Sequence, residues 1–196
     1  MLSEKTYLKI KTMKKSLLII LFAFILIPVS FTQAQVKWIG IEEAHKATQS
    51  KIKKKVFVDV YTDWCGWCVR MDKTTFEDSI VAKILNKYYY PVKLNAESAD
   101  DITIGTTTYK NLEPGKKRSA HQLAAILLNG KMGYPSFVIL SEEFKSLSIL
   151  PGYREARDFE KILWYYYNDD YSKYSFEEYE KIYEKEIRPK MLKKLR

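Results

Sequence analysis

Two cysteines, Cys65 and Cys68, are separated by two residues in the run 64–68, which reads WCGWC. They follow the apolar run 56–61, which is typical of a buried strand, and precede residues that favour a helix. Residues three apart in a helix lie about one turn apart, so the thiols can join with little backbone movement. Free N–H groups at the helix start favour a thiolate, which predicts a lowered pKa for Cys65. We expect thiol–disulfide exchange, in which the more exposed Cys65 attacks and Cys68 resolves the mixed disulfide.

A C-x-x-C pair is also half of many zinc sites, and it can be a purely structural disulfide. Tetrahedral zinc needs two more strong ligands, but the chain has no further cysteine, and its two histidines, His45 and His121, are far apart. A disulfide across two residues closes too short a loop to stabilise the fold much. Redox chemistry is therefore the favoured interpretation, and we expect neither a metal nor a cofactor.

One acid, Asp59, interrupts the apolar run 56–61. Burial in such a strand raises the pKa of a carboxyl group, which suits it to exchange protons near neutral pH. We expect Asp59 to take the proton of Cys68, through water, as a general acid and base. The alternative is a buried polar group whose hydrogen bonds are satisfied.

Together these residues resemble the thioredoxin superfamily over about 36–167. The residues that carry the resemblance are the W-C-G-x-C motif at 64–68, the acid Asp59 six residues earlier, Lys93, Pro135 before a strand, and Gly152 before the last helix. The resemblance implies that Lys93 lies near Asp59 and tunes it, although it can equally be an ordinary surface lysine. It also implies a cis peptide before Pro135.

A substrate-binding surface beside the thiols follows from the same resemblance. Its expected members are Trp64, Gly66, Trp67, Tyr134 and Pro135, where a substrate strand can pair with the backbone around the proline. The tryptophans can alternatively be core aromatics, but at least one of them is expected to flank Cys65 as an apolar contact surface.

Two features depart from thioredoxin itself. The motif has Gly-Trp between its cysteines where thioredoxin has Gly-Pro, so the direction of electron flow does not carry over. The segment 97–133 is also longer than thioredoxin's connection to its cis-proline. The whole chain is more similar to secreted thioredoxin-like proteins with a C-G-W-C motif from Bacteroidetes-type bacteria.

The order of predicted elements favours an α/β thioredoxin-like fold, with a central mixed sheet flanked by helices. We expect a domain over 35–167, in which 97–133 is an insertion, and a charged helical extension over 168–196. Within the insertion, Ser119 is expected to begin a helix with Ile126 on its apolar face. Pro189 is expected to end or kink the last helix.

The N-terminus reads as a signal peptide over 1–34, with basic residues, an apolar run and a small-residue cleavage site after Ala34. An uncleaved membrane anchor is the alternative. Removal of this segment takes away five lysines and one glutamate, so the net charge falls from +9 to +5. Such a mild excess outside the cytosol gives no reason to expect nucleic-acid binding.

We therefore expect a monomeric, periplasmic or secreted thiol–disulfide oxidoreductase that acts on protein disulfides or dithiols. Reduction or isomerisation is the favoured direction, and a reductase outside the cytosol needs an electron donor in the membrane. The alternative is a non-catalytic thioredoxin-like module that binds a partner or serves a cell-envelope complex through the segment 97–133 or the charged tail.

Overall fold

A mixed four-stranded sheet forms the centre of the part of the chain that the computed structural model describes, residues 35–195. The expected signal peptide, 1–34, lies outside the described residues. The strands, including those of a small separate hairpin, are β1 (Lys55–Tyr61), β2 (Tyr89–Asn95), β3 (Ile102–Ile104), β4 (Thr107–Tyr109), β5 (Ser136–Leu140) and β6 (Ser146–Pro151). The sheet order is β2-β1-β5-β6, in which β1 and β2 are parallel and the other pairs antiparallel, so the predicted mixed sheet is confirmed.

Helices cover both faces of this sheet. They are α1 (Ile41–Thr48), α2 (Gly66–Lys73), α3 (Ser79–Tyr88), α4 (Gln122–Leu127), α5 (Ala156–Tyr167), α6 (Phe176–Ile182) and α7 (Arg188–Leu195). Asp78 caps α3, because its carboxylate accepts the backbone N–H groups of Ile80 and Val81 at 2.9 and 3.0 Å. In the described residues, no helix is both long and apolar enough to cross a membrane.

The central strand β1 separates two apolar clusters, because alternate side chains of a strand point to opposite faces. Val56, Val58 and Val60 pack on one face with residues of α1 and α4. Phe57 packs on the other face with residues of α3 and α5. The periodicity puts Asp59 on the same face as Phe57, so the carboxylate lies within the sheet-to-helix interface rather than at its edge.

The segment between β2 and β5 contains the β3–β4 hairpin, which turns at Gly105 with a positive φ of 62°. The helix prediction in this segment was wrong in two details. His121, not Ser119, is the N-cap of α4, and its Nδ1 accepts the backbone N–H of Leu123 at 3.1 Å. Ile126 is 58% exposed, because α4 is only six residues long and turns Leu123 inward instead.

The C-terminal residues 168–195 pack against α5 instead of extending into solvent. Tyr165 of α5 contacts the fully buried Tyr179 of α6, with ring centroids 4.9 Å apart. A stretch of π-helix, Tyr183–Ile187, separates α6 from α7. The prediction that Pro189 ends the helix is wrong, because the helical residues run on from the π-helix through α7, of which Pro189 is the second residue. A kink at Pro189 stays a prediction.

Tyr179 provides a test of this packing. Its hydroxyl is buried and has no hydrogen-bond partner among the described residues. We therefore expect Tyr179→Phe to be at least as stable as the wild type, because it removes an unpaired polar atom. Tyr179→Ala leaves a cavity and should lower the free energy of unfolding by about 3–5 kcal/mol. Urea denaturation measures both variants, and equal losses in the two would contradict the packing described here.

Candidate active site

Cys65 and Cys68 form a disulfide at the junction between β1 and α2. Cys65 is the N-cap of α2, and its Sγ accepts the backbone N–H of Cys68 at 3.1 Å. The backbone N–H of Cys65 donates to the carbonyl of Thr62 at 3.1 Å, which ties the motif to the end of the strand. The helix start therefore directs an N–H group at the sulfur of Cys65, an arrangement that stabilises negative charge there.

The two cysteines differ little in exposure. Cys65 is 5% exposed and Cys68 is 4% exposed in the disulfide form. The expected greater exposure of Cys65 is therefore not a feature of this oxidised state. What distinguishes the two sulfurs is the hydrogen bond that Cys65 accepts at the helix start.

Both motif tryptophans lie on the surface beside the disulfide, at 56% exposure for Trp64 and 55% for Trp67. The core-aromatic alternative is therefore wrong. Trp64 donates from Nε1 to Glu97 at 3.0 Å and meets the Tyr134 ring edge-on, with centroids 5.8 Å apart. The peptide between Tyr134 and Pro135 is cis, as predicted.

The segment 97–133 contributes to the surroundings of Trp64. Glu97 accepts the indole N–H, and the guanidinium of Arg118 lies 6.0 Å from the centroid of the indole ring. Burial and the nearby Glu97 carboxylate raise the pKa of Tyr134 to about 12, so its hydroxyl keeps its proton at neutral pH. The insertion thus helps to shape one side of the candidate site.

Asp59 is buried beneath this junction, and its Oδ1 accepts no hydrogen bond from the described residues. Asp59 and Lys93 are direct partners in the parallel pairing of β1 and β2, so their side chains leave the same face of the sheet. Lys93 Nζ lies 3.8 Å from Asp59 Oδ2. Sequence reasoning left open whether Lys93 is a plain surface lysine, and the pairing settles that it lies beside the buried acid.

Asp72 completes this charge cluster and was missed in the sequence. Its carboxylate accepts a hydrogen bond from Lys93, whose ammonium therefore lies between two acids. Asp72 follows Cys68 by four residues, so the two share one face of α2. The inward direction of Cys68 was the signal that could have revealed Asp72.

Aromatic rings enclose the shared lysine as well. Lys93 Nζ lies 5.4 Å from the ring centroid of Trp38 and 5.0 Å from that of Tyr61. The ring faces stabilise the partly buried ammonium. The Lys93 ammonium is therefore held by two aromatic rings as well as by the two carboxylates that share it.

The pKa of Asp59 is raised from 3.8 to about 7. Burial is the main cause, the Lys93 ammonium opposes it, and the Asp72 carboxylate adds to it. A carboxyl group with this pKa can both accept and release a proton near neutral pH. No group of three or more histidine, cysteine or acidic side chains able to hold a metal occurs within 35–195.

The raised pKa of Asp59 predicts a pH-dependent stability. Between about pH 4 and pH 7 the folded chain keeps a proton that the unfolded chain has released, so stability falls as the pH rises through this range. Asp59→Asn removes the effect and should raise the free energy of unfolding by up to about 4 kcal/mol at pH 8. The gain should be much smaller at pH 4.

Urea denaturation of the oxidised protein at the two pH values measures this difference. Asp63→Asn is the matched control, because Asp63 is an exposed carboxylate close to Asp59 in the sequence. Its effect should stay within about 0.5 kcal/mol at both pH values. A gain from Asp59→Asn that does not depend on pH would contradict the raised pKa.

The charge cluster predicts opposite effects for its other two members. Lys93→Met removes the cation that lowers the pKa of Asp59, so this pKa should rise further. Asp72→Asn removes a repelling carboxylate and leaves Lys93 to face Asp59 alone, so the same pKa should fall. A pH titration of the Asp59 carboxyl carbon by NMR follows both shifts. Shifts in the same direction would show that the ammonium is not shared.

Comparison with known proteins places this geometry in a family. The family Thioredox_DsbH, described as proteins of unknown function (DUF255), matches residues 29–153, more than half of the chain and including the motif. An uncharacterized protein of Caenorhabditis elegans is 35% identical over 63 residues, which are 32% of this chain. The match spans only 8% of that relative's length.

Several solved structures are similar to the chain at low sequence identity. A DsbH oxidoreductase has 20% identity and a TM-score of 0.43, over 62% of this chain and 76% of that one. A thioredoxin from Thermus thermophilus has 20% identity and a TM-score of 0.49, over 66% and 85% of the two chains. The reduced C-terminal domain of DsbD from Neisseria meningitidis has 18% identity and a TM-score of 0.41, over 64% of this chain and 89% of that one. The family match over most of the folded region, together with the C-G-W-C disulfide at the start of α2, shows that the chain belongs to the thioredoxin-like DsbH family (DUF255).

Proposed function

We propose that the chain is a thiol–disulfide oxidoreductase that reduces or isomerises protein disulfides outside the cytosol. The observation that carries the proposal is the Cys65–Cys68 disulfide at the start of a helix, on the strand junction that follows the buried Asp59. A structural disulfide has no need of a buried carboxylate whose pKa is about 7. A redox pair does need such a group, because one of its thiols must lose a proton in each cycle.

The first step of the proposed cycle begins with both cysteines reduced. The Cys65 thiolate attacks one sulfur of the partner's disulfide, so a bond forms between Cys65 and the partner while the partner's own S–S bond breaks. The released partner sulfur takes up a proton from solvent. The hydrogen bond from the Cys68 N–H to Cys65 Sγ supports Cys65 as the attacking sulfur.

The second step releases the partner. Cys68 passes its proton to the Asp59 carboxylate, through water, and its thiolate attacks Cys65. The Cys65–Cys68 bond forms, the mixed disulfide breaks, and the second partner sulfur leaves as a thiolate that takes up a proton from solvent. Asp59 keeps the proton of Cys68 and returns it when the pair is next reduced. Two electrons have then passed to the partner, and a dithiol donor must reduce the pair before the next cycle. Lys93 and Asp72 act on this step by setting the pKa of Asp59.

Location and electron supply complete the proposal. The basic and apolar pattern of residues 1–34 supports export from the cytosol. In that compartment we propose that a membrane protein supplies the electrons as a dithiol. The surface made by Trp64, Gly66, Trp67, Tyr134 and Pro135 is the proposed binding site for substrate, and the exposure of both tryptophans supports it.

Insulin reduction with dithiothreitol as the electron donor tests the proposal. We expect Cys65→Ala and Cys68→Ala each to lower the rate at least 100-fold, because each removes one of the two sulfurs that the cycle requires. The two variants should differ in their products. When the reduced variants are mixed with insulin after removal of dithiothreitol, Cys68→Ala cannot resolve the intermediate and should accumulate a covalent mixed disulfide with insulin, whereas Cys65→Ala should not.

The other candidate function is a non-catalytic binding module, and the insulin assay distinguishes it from the enzyme. Its specific support is the exposed Leu112 in the segment 97–133, which offers an apolar contact to a partner. Activity that is unchanged in both cysteine variants would overturn the enzyme and favour the binding module. A mixed disulfide on Cys65→Ala instead of Cys68→Ala would reverse the roles of the two sulfurs.

A further inference from the structure

Arg70 occupies an unusual position on the exposed side of α2. Its guanidinium carbon lies 5.3 Å from the ring centroid of Trp67 and 5.2 Å from that of Tyr153. The two rings are themselves in contact, with centroids 5.3 Å apart. The cation therefore lies over two aromatic rings, and two such contacts together favour one position of the side chain.

This cation has no anion to pair with. Within 35–195, Arg70 forms no salt bridge, and its side chain donates no hydrogen bond to another residue. The N–H donors of the guanidinium are therefore free. Those donors match the two oxygens of a carboxylate, and the loss of side-chain entropy on binding is smaller because the group is already held.

Arg70 lies close enough to the disulfide along α2 to contact a polypeptide that reacts there. Trp67 lies between the two cysteines, and Arg70 follows it by one helical turn on the same exposed face. One turn advances about 5.4 Å along the helix, and an extended chain advances about 3.3 Å per residue. When a cysteine of an extended partner chain meets Cys65, residues up to about three positions away from that cysteine can therefore reach Arg70.

We propose that Arg70 selects partner polypeptides that carry an aspartate or glutamate within about three residues of the reacting cysteine. The inference rests on the proposed function and adds a substrate class to it. Trp67 and Tyr153 are the positioning residues, since they orient the guanidinium. Tyr153 is held in turn, because its hydroxyl donates to Glu155 at 2.9 Å.

Other charges near the motif do not offer the same site. On the side of Trp64, the Arg118 guanidinium and the Glu97 carboxylate both lie near the indole, so the potential there is mixed. Asp72, in the same helix as Arg70, already accepts a hydrogen bond from Lys93. Lys73 is exposed in that helix but stacks on no aromatic ring. Only Arg70 combines a free guanidinium with two ring contacts among the described residues of α2.

Two synthetic peptides test the proposal. Each is closed by one disulfide, and they differ only in having glutamate or glutamine two residues from the attacked cysteine. We expect the reduced protein to react with the glutamate peptide about 5–10 times faster at low ionic strength. This ratio should fall towards one in 0.5 M salt, because an exposed charge pair is screened.

Three variants identify the group responsible. Arg70→Gln should abolish the preference, and Arg70→Lys should keep only part of it, because lysine retains the charge but lacks the planar pair of donors. Lys73→Gln is the matched control, since it removes the same charge from the same helix and should keep the full ratio. The ratio of the two rates is the readout, because a loss of folding would lower both rates together.

The outcomes separate the inference from the function on which it rests. Equal rates for the two peptides in the wild type, or an equal loss of preference in Lys73→Gln and Arg70→Gln, would overturn the role of Arg70 while leaving the oxidoreductase intact. A wild-type protein that reduces neither peptide nor insulin would overturn the proposed function itself. A preference that Arg70→Gln alone removes supports the proposal.

Discussion

A single lysine shared by two carboxylates is the interaction on which the candidate site depends. Lys93 reaches Asp59 because β1 and β2 are paired in register, and it reaches Asp72 because α2 lies over the same face of the sheet. The Lys93 ammonium lowers the pKa of Asp59, but it also donates to Asp72, whose carboxylate raises that pKa. Burial is the largest effect, so the pKa of Asp59 is about 7.

The disulfide and this charge cluster are joined by short stretches of backbone. β1 brings Asp59 under the motif, and the N-cap of α2 brings an N–H group to the sulfur of Cys65. The polar part of the site is therefore buried, whereas the parts that can meet a partner, Trp64 and Trp67, are exposed. This division keeps proton exchange away from bulk water and leaves the apolar surface open for contact with another polypeptide.

Local patterns predicted much of this arrangement, and contacts between distant segments account for what they missed. The C-x-x-C spacing, the acid in an apolar strand and the proline before β5 are local signals, and each led to the right element. Asp72 needed the rotation of α2 about its axis, which no local pattern gives. The start of α4 at His121 depends on a hydrogen bond from its backbone N–H to Ala96, a contact between separate segments. The stacking of Arg70 on Tyr153 likewise required the fold.

The central claim is that the Cys65–Cys68 bond opens and closes at potentials found in cells. Equilibration of the protein with thiol redox buffers, followed by quantification of free thiols, measures this directly. We predict a single reversible transition in which both cysteines change together, at a potential near about −270 mV, the value of a thioredoxin-like reductant. A bond that stays closed at potentials more negative than about −300 mV would mark a structural disulfide and contradict the account.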